Sequence, residues 1–465
     1  MSNIFALTDF GSTFTKVALV ETPTGRLLAT AQTPTTVQTD VMLGYRSALE
    51  SACSVATVSP DNIEVRAASS AGGGLSVVSI GLVEDYTAAA SRQAALNAGA
   101  KVSGVLAGRL DITQLKILED VKPDVVLFSG GTDGGQSEQV INNARLLANS
   151  IRECPIIVAC NNDIAGIVAD IFSETSRDVV VVPNVLPEID VMNIEPARHA
   201  INRLFIENVI MGKGLSSATE FIENVIMPTP EAVLTAITLL SAGTDSRDGV
   251  GDVFAIDIGG ATTDIHSSQA NQYRSHGFRS RGPACPPVMR SVQGDLGMCW
   301  NASTVLQQDA SWLNKMIRQK GLDQDRIRRA CQERELNPHL KERPNYFSSS
   351  LDGLLATSCA TLSIERHCGK TNVVYIPNQG VDLIKEGTDF RSTPIVLGTG
   401  GVLIHGTQGV NILEAALARQ DGATLSPQSP KIVLDNRYIL AAAGILATIN
   451  PDAAFNLMDR ELLLN

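Results

Sequence analysis

Two nine-residue segments built on one plan constrain this chain more than any other feature. The first is Thr8-Asp9-Phe10-Gly11-Ser12-Thr13-Phe14-Thr15-Lys16, the second Ile256-Asp257-Ile258-Gly259-Gly260-Ala261-Thr262-Thr263-Asp264. Each runs from an apolar strand ending in aspartate, through a turn of glycine and hydroxyl residues, into a second strand. Glycine lets the backbone turn sharply and pass close to an anion. The exposed N–H groups and Ser/Thr hydroxyls then donate to phosphate oxygens. An aspartate at the strand end suits hydrated Mg²⁺, which keeps its waters and takes one or two carboxylates. Lys16 adds a point charge for a β- or γ-phosphate. One such turn reads as an ordinary hairpin. Two with matching grammar, one near the start of each half of a 465-residue chain, read as a repeated phosphate-binding device. A third glycine cluster, Val396-Leu397-Gly398-Thr399-Gly400-Gly401-Val402, follows a strand and offers backbone to a ribose or α-phosphate, or is a plain turn.

Periodicity fills in the chain around these turns. Ile4–Thr8, Lys16–Glu21 and Leu27–Thr33 read as a meander, with a helix over Asp40–Ser54. From about residue 62 short β-branched runs, Val125–Phe128, Ile156–Ala159 and Val179–Val182, alternate with helical stretches over about Ser137–Arg152 and Asn162–Phe172. That alternation implies a parallel βαβ module inserted in the first half. Pro196–Met227 is expected to be helical. It holds one heptapeptide twice, Phe205–Met211 and Phe221–Met227, read as two helices using the same apolar face. Pro230 near the first turn starts a helix over Glu231–Leu240, and Gly243 ends it. Asp252–Ile258 and Asp264–Gln269 restart the strand pattern, residues 307–345 are charged and helical, Thr393–Leu397 is a strand and Tyr438–Thr448 a small-residue helix. The cluster Arg326-Ile327-Arg328-Arg329 reads as a solvated face, with a docking surface as the sharper alternative.

Composition narrows the partners. With 37 basic and 49 acidic side chains the net charge is −12, which disfavours a nucleic-acid backbone as partner. Aromatics at 4% disfavour base-stacking platforms. No apolar run reaches the roughly 18 residues of a membrane span, and Asp9 interrupts a start that lacks a basic region, so no signal peptide is expected. A cytoplasmic protein without nucleic-acid or membrane partners is the expectation. The eight cysteines include no Cys-x2-Cys pair and read as reduced structural thiols, and His367-Cys368 is adjacent rather than ligand-spaced. Gly369-Lys370-Thr371 is not a Walker motif, because Ile364 stands where its first glycine belongs.

The arrangement resembles the actin/Hsp70/sugar-kinase ATPase superfamily. That resemblance implies an α/β fold of two RNase H-like lobes clamping ATP between two phosphate hairpins and an adenosine loop. The first lobe would be 1–245, with the phosphate-1 hairpin and an inserted α/β module at about 62–190. The second would be 246–465, with the phosphate-2 hairpin and the adenosine loop. It also assigns Glu231–Leu240 and Tyr438–Thr448 to the lobe junction, where Ala232, Ala236, Ala441, Ala442, Ala443 and Gly444 permit close helix crossing.

A closer resemblance spans nearly the whole chain. Asp9-x-Gly11-Ser12-Thr13-x-Thr15-Lys16, Gly130-Gly131-Thr132-Asp133-Gly134-Gly135, Pro228-Thr229-Pro230-x-Ala232-Val233-Leu234, Asp257–Asp264, Gly294-Asp295-Leu296-Gly297-Met298, Arg366-His367-x-Gly369 and Gly398–Leu403, in that order, are similar to the MutL/GlmL family. These are accessory proteins of adenosylcobalamin-dependent glutamate mutase and related aminomutases. Membership implies an ATP-hydrolysing, chaperone-like reactivating factor whose partners are cobalamin-dependent mutase subunits and whose cofactors are ATP and Mg²⁺. A small-molecule kinase on the same scaffold and a non-hydrolysing nucleotide switch are the alternatives.

The same resemblance assigns the residues. Asp9 and Asp257 hold Mg²⁺ and position water, and Asp295 joins them as a catalytic candidate. Gly11, Ser12, Thr13, Lys16, Gly259, Gly260 and Thr262 contact phosphate, with Thr263 and Asp264 as second choices. Gly398, Gly400 and Gly401 face the adenosine, and Arg366 leans over the adenine or is an ordinary surface arginine. Gln293 departs from the pattern, since an acidic residue is expected before Gly294-Asp295 and its absence implies slow hydrolysis. The Gly130–Gly135 loop either takes an anion or second ligand, or is a structural turn with Asp133 capping the next helix.

Overall fold

A computed structural model describes residues 4–11, 13–22, 24–36, 41–70, 75–150, 154–175, 177–205, 224–270, 279–281, 284–338, 345–376 and 380–464. The chain divides into two compact units. One comprises Met1–Ala236, Gly282–Met289 and Leu440–Leu457, the other Ile237–Arg281, Arg290–Ile439 and Met458–Asn465.

In the first unit, β1 (Ile4–Phe10), β2 (Phe14–Glu21) and β3 (Arg26–Pro34) form an antiparallel meander. β4 (Glu64–Ser69) lies parallel on the other side of β1. β1 is therefore central, and its residues Phe5–Phe10 are all buried, which explains its nearly unbroken apolar run. The Val41–Ala56 helix packs Met42, Tyr45, Ala48 and Ala52 into the same core.

The inserted module is a second, wholly parallel sheet. Its strands are β5 (Ser76–Gly81), β6 (Lys101–Ala107), β7 (Val125–Phe128), β8 (Ile156–Val158) and β9 (Val179–Val181), in the spatial order β6-β5-β7-β8-β9. That is the open doubly wound order 2-1-3-4-5. Helices Ile112–Val121, Glu138–Ala148 and Ala165–Ser173 alternate with the strands.

After the module the helix Glu195–Phe205 forms as expected, but β10 (Val225–Pro228) does not continue it. β10 is a strand, parallel to β4 at the edge of the first sheet. This corrects the helical expectation for the end of the second heptapeptide. The β-branched Val225 and Ile226 and the unpaired edge of β4 favour extension. The remainder of both copies, residues 206–211 and 221–223, lies outside the described residues. With β10 in place the first sheet reads β10-β4-β1-β2-β3.

The second unit carries a small hairpin of β11 (Gly243–Thr244) and β12 (Arg247–Asp248), then repeats the first unit's order. β13 (Val253–Ile258) pairs antiparallel with β14 (Thr263–Ser268). β15 (Arg279–Arg281), β16 (Val288–Gln293), β17 (Lys370–Ile376), β18 (Gly380–Glu386), β19 (Ile395–Thr399) and β20 (Lys431–Leu434) follow. The main sheet is β16-β14-β13-β19-β20, with β19 parallel to both β13 and β20. Both units thus share the order 3-2-1-4-5, with the second strand antiparallel to a buried first strand and the last two parallel to it. This is the expected RNase H-like α/β pattern. β15, β18 and β17 form a separate three-stranded sheet.

The charged region 307–345 resolves into Ala302–Gln308, Ala310–Gln319 and Gln324–Leu336, with 339–344 outside the described residues. Arg326, Arg328 and Arg329 are exposed and Ile327 is buried, so the basic cluster is a solvated helix face. All eight cysteines are free thiols.

Candidate functional site

The hairpin between β1 and β2 is held by its own backbone. Gly11 N donates to Phe14 O at 3.1 Å, and a β-carbon on Gly11 would stand 2.7 Å from that oxygen, so glycine is required there. Thr35 braces the turn, its hydroxyl donating to Gly11 O at 2.8 Å and its N–H to Thr13 O at 2.9 Å. Thr13 is exposed, and Ser12 lies outside the described residues. Asp9 and Lys16 are register partners across β1 and β2. The buried Asp9 carboxylate accepts from Lys16 Nζ at 3.5 Å and from Thr229 Oγ1 at 2.6 Å. Thr229 opens the helix Thr229–Ala242, which brings a hydroxyl from far along the chain to the end of β1.

That helix has a second anchor. Glu231 is buried and accepts from Arg198 and Asn202 on the Glu195–Phe205 helix. Burial pushes its carboxyl up to about 7, against the opposing pull of Arg198. At the next residue, Ala232 meets Gly444 of the Leu440–Ala447 helix. A β-carbon on Gly444 would stand 1.7 Å from Ala232 O, so the two helices cross backbone to backbone. Of the small residues expected at a close crossing, Ala232 and Gly444 are the pair that meets here.

The second hairpin has the same internal bond, Gly259 N to Thr262 O at 2.9 Å. Asp257 stands opposite Asp264 in register. Asp264 is engaged by Arg290 Nε at 3.1 Å and by Thr262 Oγ1 at 3.0 Å. Thr263 points into the core, its hydroxyl donating to Leu296 O at 2.7 Å. The loop after β16 closes on this turn, with Met298 N donating to Gly259 O and Cys299 N and Trp300 N to Gly260 O. Gly297 passes so close to Ala261 O, 2.5 Å from its would-be β-carbon, that only glycine fits.

Asp257 also pairs with Thr399 of β19, which brings the third glycine cluster beside the hairpin within one unit. Gly400 has φ +98, and its β-carbon would stand 2.3 Å from Ile258 O and 2.8 Å from Asp257 Oδ1. Gly401, the next residue, is exposed and has nothing within 4 Å of a β-carbon. Gly398 instead faces the side chains of Leu403, Leu413 and Leu434 inside the core. Tyr438 stands near, its hydroxyl titration pushed up to about 12 by burial and then by Asp257 and Asp435.

Asp295 and Arg366 are bound to each other. Arg366 NH1 donates to Asp295 Oδ1 at 2.8 Å and to Gln293 Oε1 at 3.0 Å, and Gln308 Nε2 donates to Asp295 Oδ2 at 2.6 Å. Burial raises the Asp295 carboxyl, but the hydrogen bonds from Arg366 and Gln308 outweigh it and hold the group below its usual range. Arg366 is therefore partner to the Gly294–Met298 loop in this structure.

In the inserted module, Gly130–Gly135 sits at the carboxyl end of β7. Asp133 does not cap the following helix, whose N-cap Ser137 makes no side-chain capping bond, so that reading is corrected. Its carboxylate accepts from Asn162 N and Asn184 Nδ2, both at 2.9 Å, tying together the loops after β7, β8 and β9. Among the described residues no group of three His, Cys, Asp or Glu side chains is placed to hold a metal, and no helix is long and apolar enough to cross a membrane.

Sequence reasoning missed Thr229, Arg290, Gln308 and Tyr438. Thr229 alone left a trace, between two prolines in one of the ordered motifs.

Two RNase H-like units, each opening on an Asp-Gly hairpin, define the fold class of actin, Hsp70 and the sugar kinases. A profile of the MutL protein family matches residues 5–462. Protein MutL of Clostridium tetanomorphum is 37% identical over 463 residues, covering 99% of both chains. The chain belongs to the MutL family. Among solved structures it is similar to nucleotide-free acetone carboxylase (12% identity, 96% of this chain and 70% of that one, TM-score 0.40). It is also similar to a ROK family glucokinase from Streptomyces griseus in complex with glucose and AMPPNP (10% identity, 99% and 100%, TM-score 0.31). Likenesses this distant add nothing to the reading of the site.

Proposed function

We propose that this chain binds ATP with Mg²⁺ and hydrolyses it, and that it uses this cycle as a reactivating factor for an adenosylcobalamin-dependent mutase of the glutamate mutase or aminomutase type. The observation that carries the nucleotide reading is local to the second unit. Asp257, the Gly259–Thr262 turn and the Gly400-Gly401 backbone meet at the ends of β13 and β19, with open space at Gly401. The donors there are carboxylate oxygen, hydroxyl oxygen and peptide N–H, which is the chemistry hydrated Mg²⁺ and phosphate require. When bound, Mg²⁺ neutralises charge on the transferring phosphoryl group. Asp257 would hold the ion's water shell, Thr262 and the Gly260 N–H the phosphate, and Gly400-Gly401 the nucleoside side, the Gly259 N–H being held within the hairpin by Thr262 O. In the first unit, Asp9, Thr13 and Lys16 would serve phosphate and metal in the same way.

The mutase partner rests on family membership. One experiment tests it. A purified cobalamin-dependent mutase is inactivated with hydroxocobalamin, and its recovery is followed with this chain, with and without ATP. ATP-dependent recovery supports the proposal. ATP consumption driven instead by a sugar or acid makes the protein a kinase. Tight ATP binding without turnover supports the switch reading, which Gln293 and the engagement of Asp295 by Arg366 favour specifically.

A further inference from the structure

Among the described residues the three-stranded sheet β15-β18-β17 ends on an open edge at β17. Thr371 N donates to Ala423 O, away from β18, so the alternation of an antiparallel strand turns the N–H and C=O of Val373 and Tyr375 outward as well. No described residue beyond β18 pairs with Val373, Val374 or Tyr375. The same two outward residues carry some of the most exposed large apolar side chains among the described residues, Val373 at 70% and Tyr375 at 72%. Leu383, directly opposite Val373 in register, adds 40% exposure on that face. Native edges are normally blunted by charge, proline or a bulge. Here residues 371–376 carry neither charge nor proline, Pro377 coming only after the strand, in a chain of net charge −12.

We propose that β17 is a self-pairing edge through which two copies of this chain associate about a two-fold axis. The unpaired backbone row specifies another extended strand as occupant, since only a strand satisfies alternating donors and acceptors. Charge chooses the second copy. An anionic chain meets itself most favourably where it is neutral, and β17 itself carries no acidic residue for a cationic partner to engage, Asp382 lying one strand back on β18 opposite Val374. The pairing is also self-complementary. An antiparallel register centred on Val374 sets Val373 of each copy against Tyr375 of the other. The outward N–H and C=O of these residues then make four hydrogen bonds across the axis. The two aromatic–β-branched cross-strand pairs add side-chain contact to those backbone bonds. Two three-stranded sheets become one of six, and an isologous contact of this kind closes on itself without forming fibres.

The test is the mass of the full-length chain in solution, by sedimentation velocity and light scattering at micromolar concentration. Wild type is expected to be a dimer. Val373→Lys with Tyr375→Lys sets like charges opposite each other twice and should raise the dimer dissociation constant by about tenfold or more. Val373→Lys with Tyr375→Glu sets opposite charges across the axis and should retain the dimer, which tests the register rather than mere polarity. Val374→Cys should give a disulfide-linked dimer on mild oxidation where wild type, with its native thiols, gives none. Thermal melts of each variant verify folding, which substitutions at such exposed positions leave intact. A monomeric wild type overturns the proposal and leaves the edge to a strand of a different protein. A dimer unaffected by the double lysine variant overturns it too, because the contact then lies elsewhere.

Discussion

Gly400 lies against the carboxylate of Asp257, with the position of its absent β-carbon 2.8 Å from Asp257 Oδ1 and 2.3 Å from Ile258 O. The backbone conformation there, φ +98 and ψ 151, is one that side chains avoid. Gly400→Ala should therefore cost about 1–3 kcal/mol in stability from strain and displace the Asp257 carboxylate. The checks are a thermal melt and calorimetric titration of ATP·Mg²⁺. Gly401→Ala, with open space around it, should melt like wild type.

Thr229 fixes the orientation of Asp9 by a 2.6 Å hydrogen bond to a carboxylate, a class of bond worth about 1.5–3 kcal/mol. Thr229→Val should lower ATP turnover roughly tenfold or more by that scale, and Thr229→Ser should restore most of it. Equal turnover in the valine variant would remove Thr229 from the account.

Gln293 lends its amide oxygen to Arg366. Gln293→Glu places a carboxylate where a base for the attacking water is expected, and general bases contribute about 10²–10⁴-fold. Single-turnover hydrolysis should accelerate by at least about tenfold while ATP affinity stays unchanged.

His266 and His367 are buried beside each other, and burial lowers both to about 3. His367 is held by Ser267 Oγ at 2.9 Å and Ser291 Oγ at 2.7 Å, which gives the adjacent His367-Cys368 pair a structural role. The folded state refuses protons that the unfolded chain accepts below its ordinary value of 6.5. Their stabilisation is thus complete above about pH 6.5 and is lost progressively as pH falls toward 3, by roughly 1 kcal/mol per group per pH unit. Denaturant midpoints at pH 7.5 and 5.5 measure the loss, and His367→Asn should lessen it.

Gly444 sits where a side chain would strike Ala232 O. Gly444→Val should separate the two helices and cost about 1–3 kcal/mol or more by overpacking, read as a lowered melting temperature. Gly444→Ala adds the smallest side chain that still strikes Ala232 O and should lower the melting temperature by less than the valine variant.

The elements legible in the sequence were those whose cause is local. The two Asp-Gly turns, the parallel strands of the module and the glycine that ends the Thr229–Ala242 helix follow from residues within a few positions of one another. What was not legible depends on distant chain. Thr229 reaches Asp9 across 220 residues, and Arg290 reaches Asp264 across 26. β10 forms because β4 offers an edge, although the segment's composition also suits a helix. Gly398 illustrates the same limit within a motif. Its neighbour Gly400 meets the Asp257 carboxylate, whereas Gly398 is glycine because Leu413 and Leu434 leave no room.

The central claim is that Asp257 lies at a nucleotide site. Mg²⁺-dependent ATP turnover by wild type and by Asp257→Ala, each verified as folded by its melt, tests it most directly. The account predicts turnover by wild type that falls to background in the variant. An unchanged rate in Asp257→Ala would contradict it.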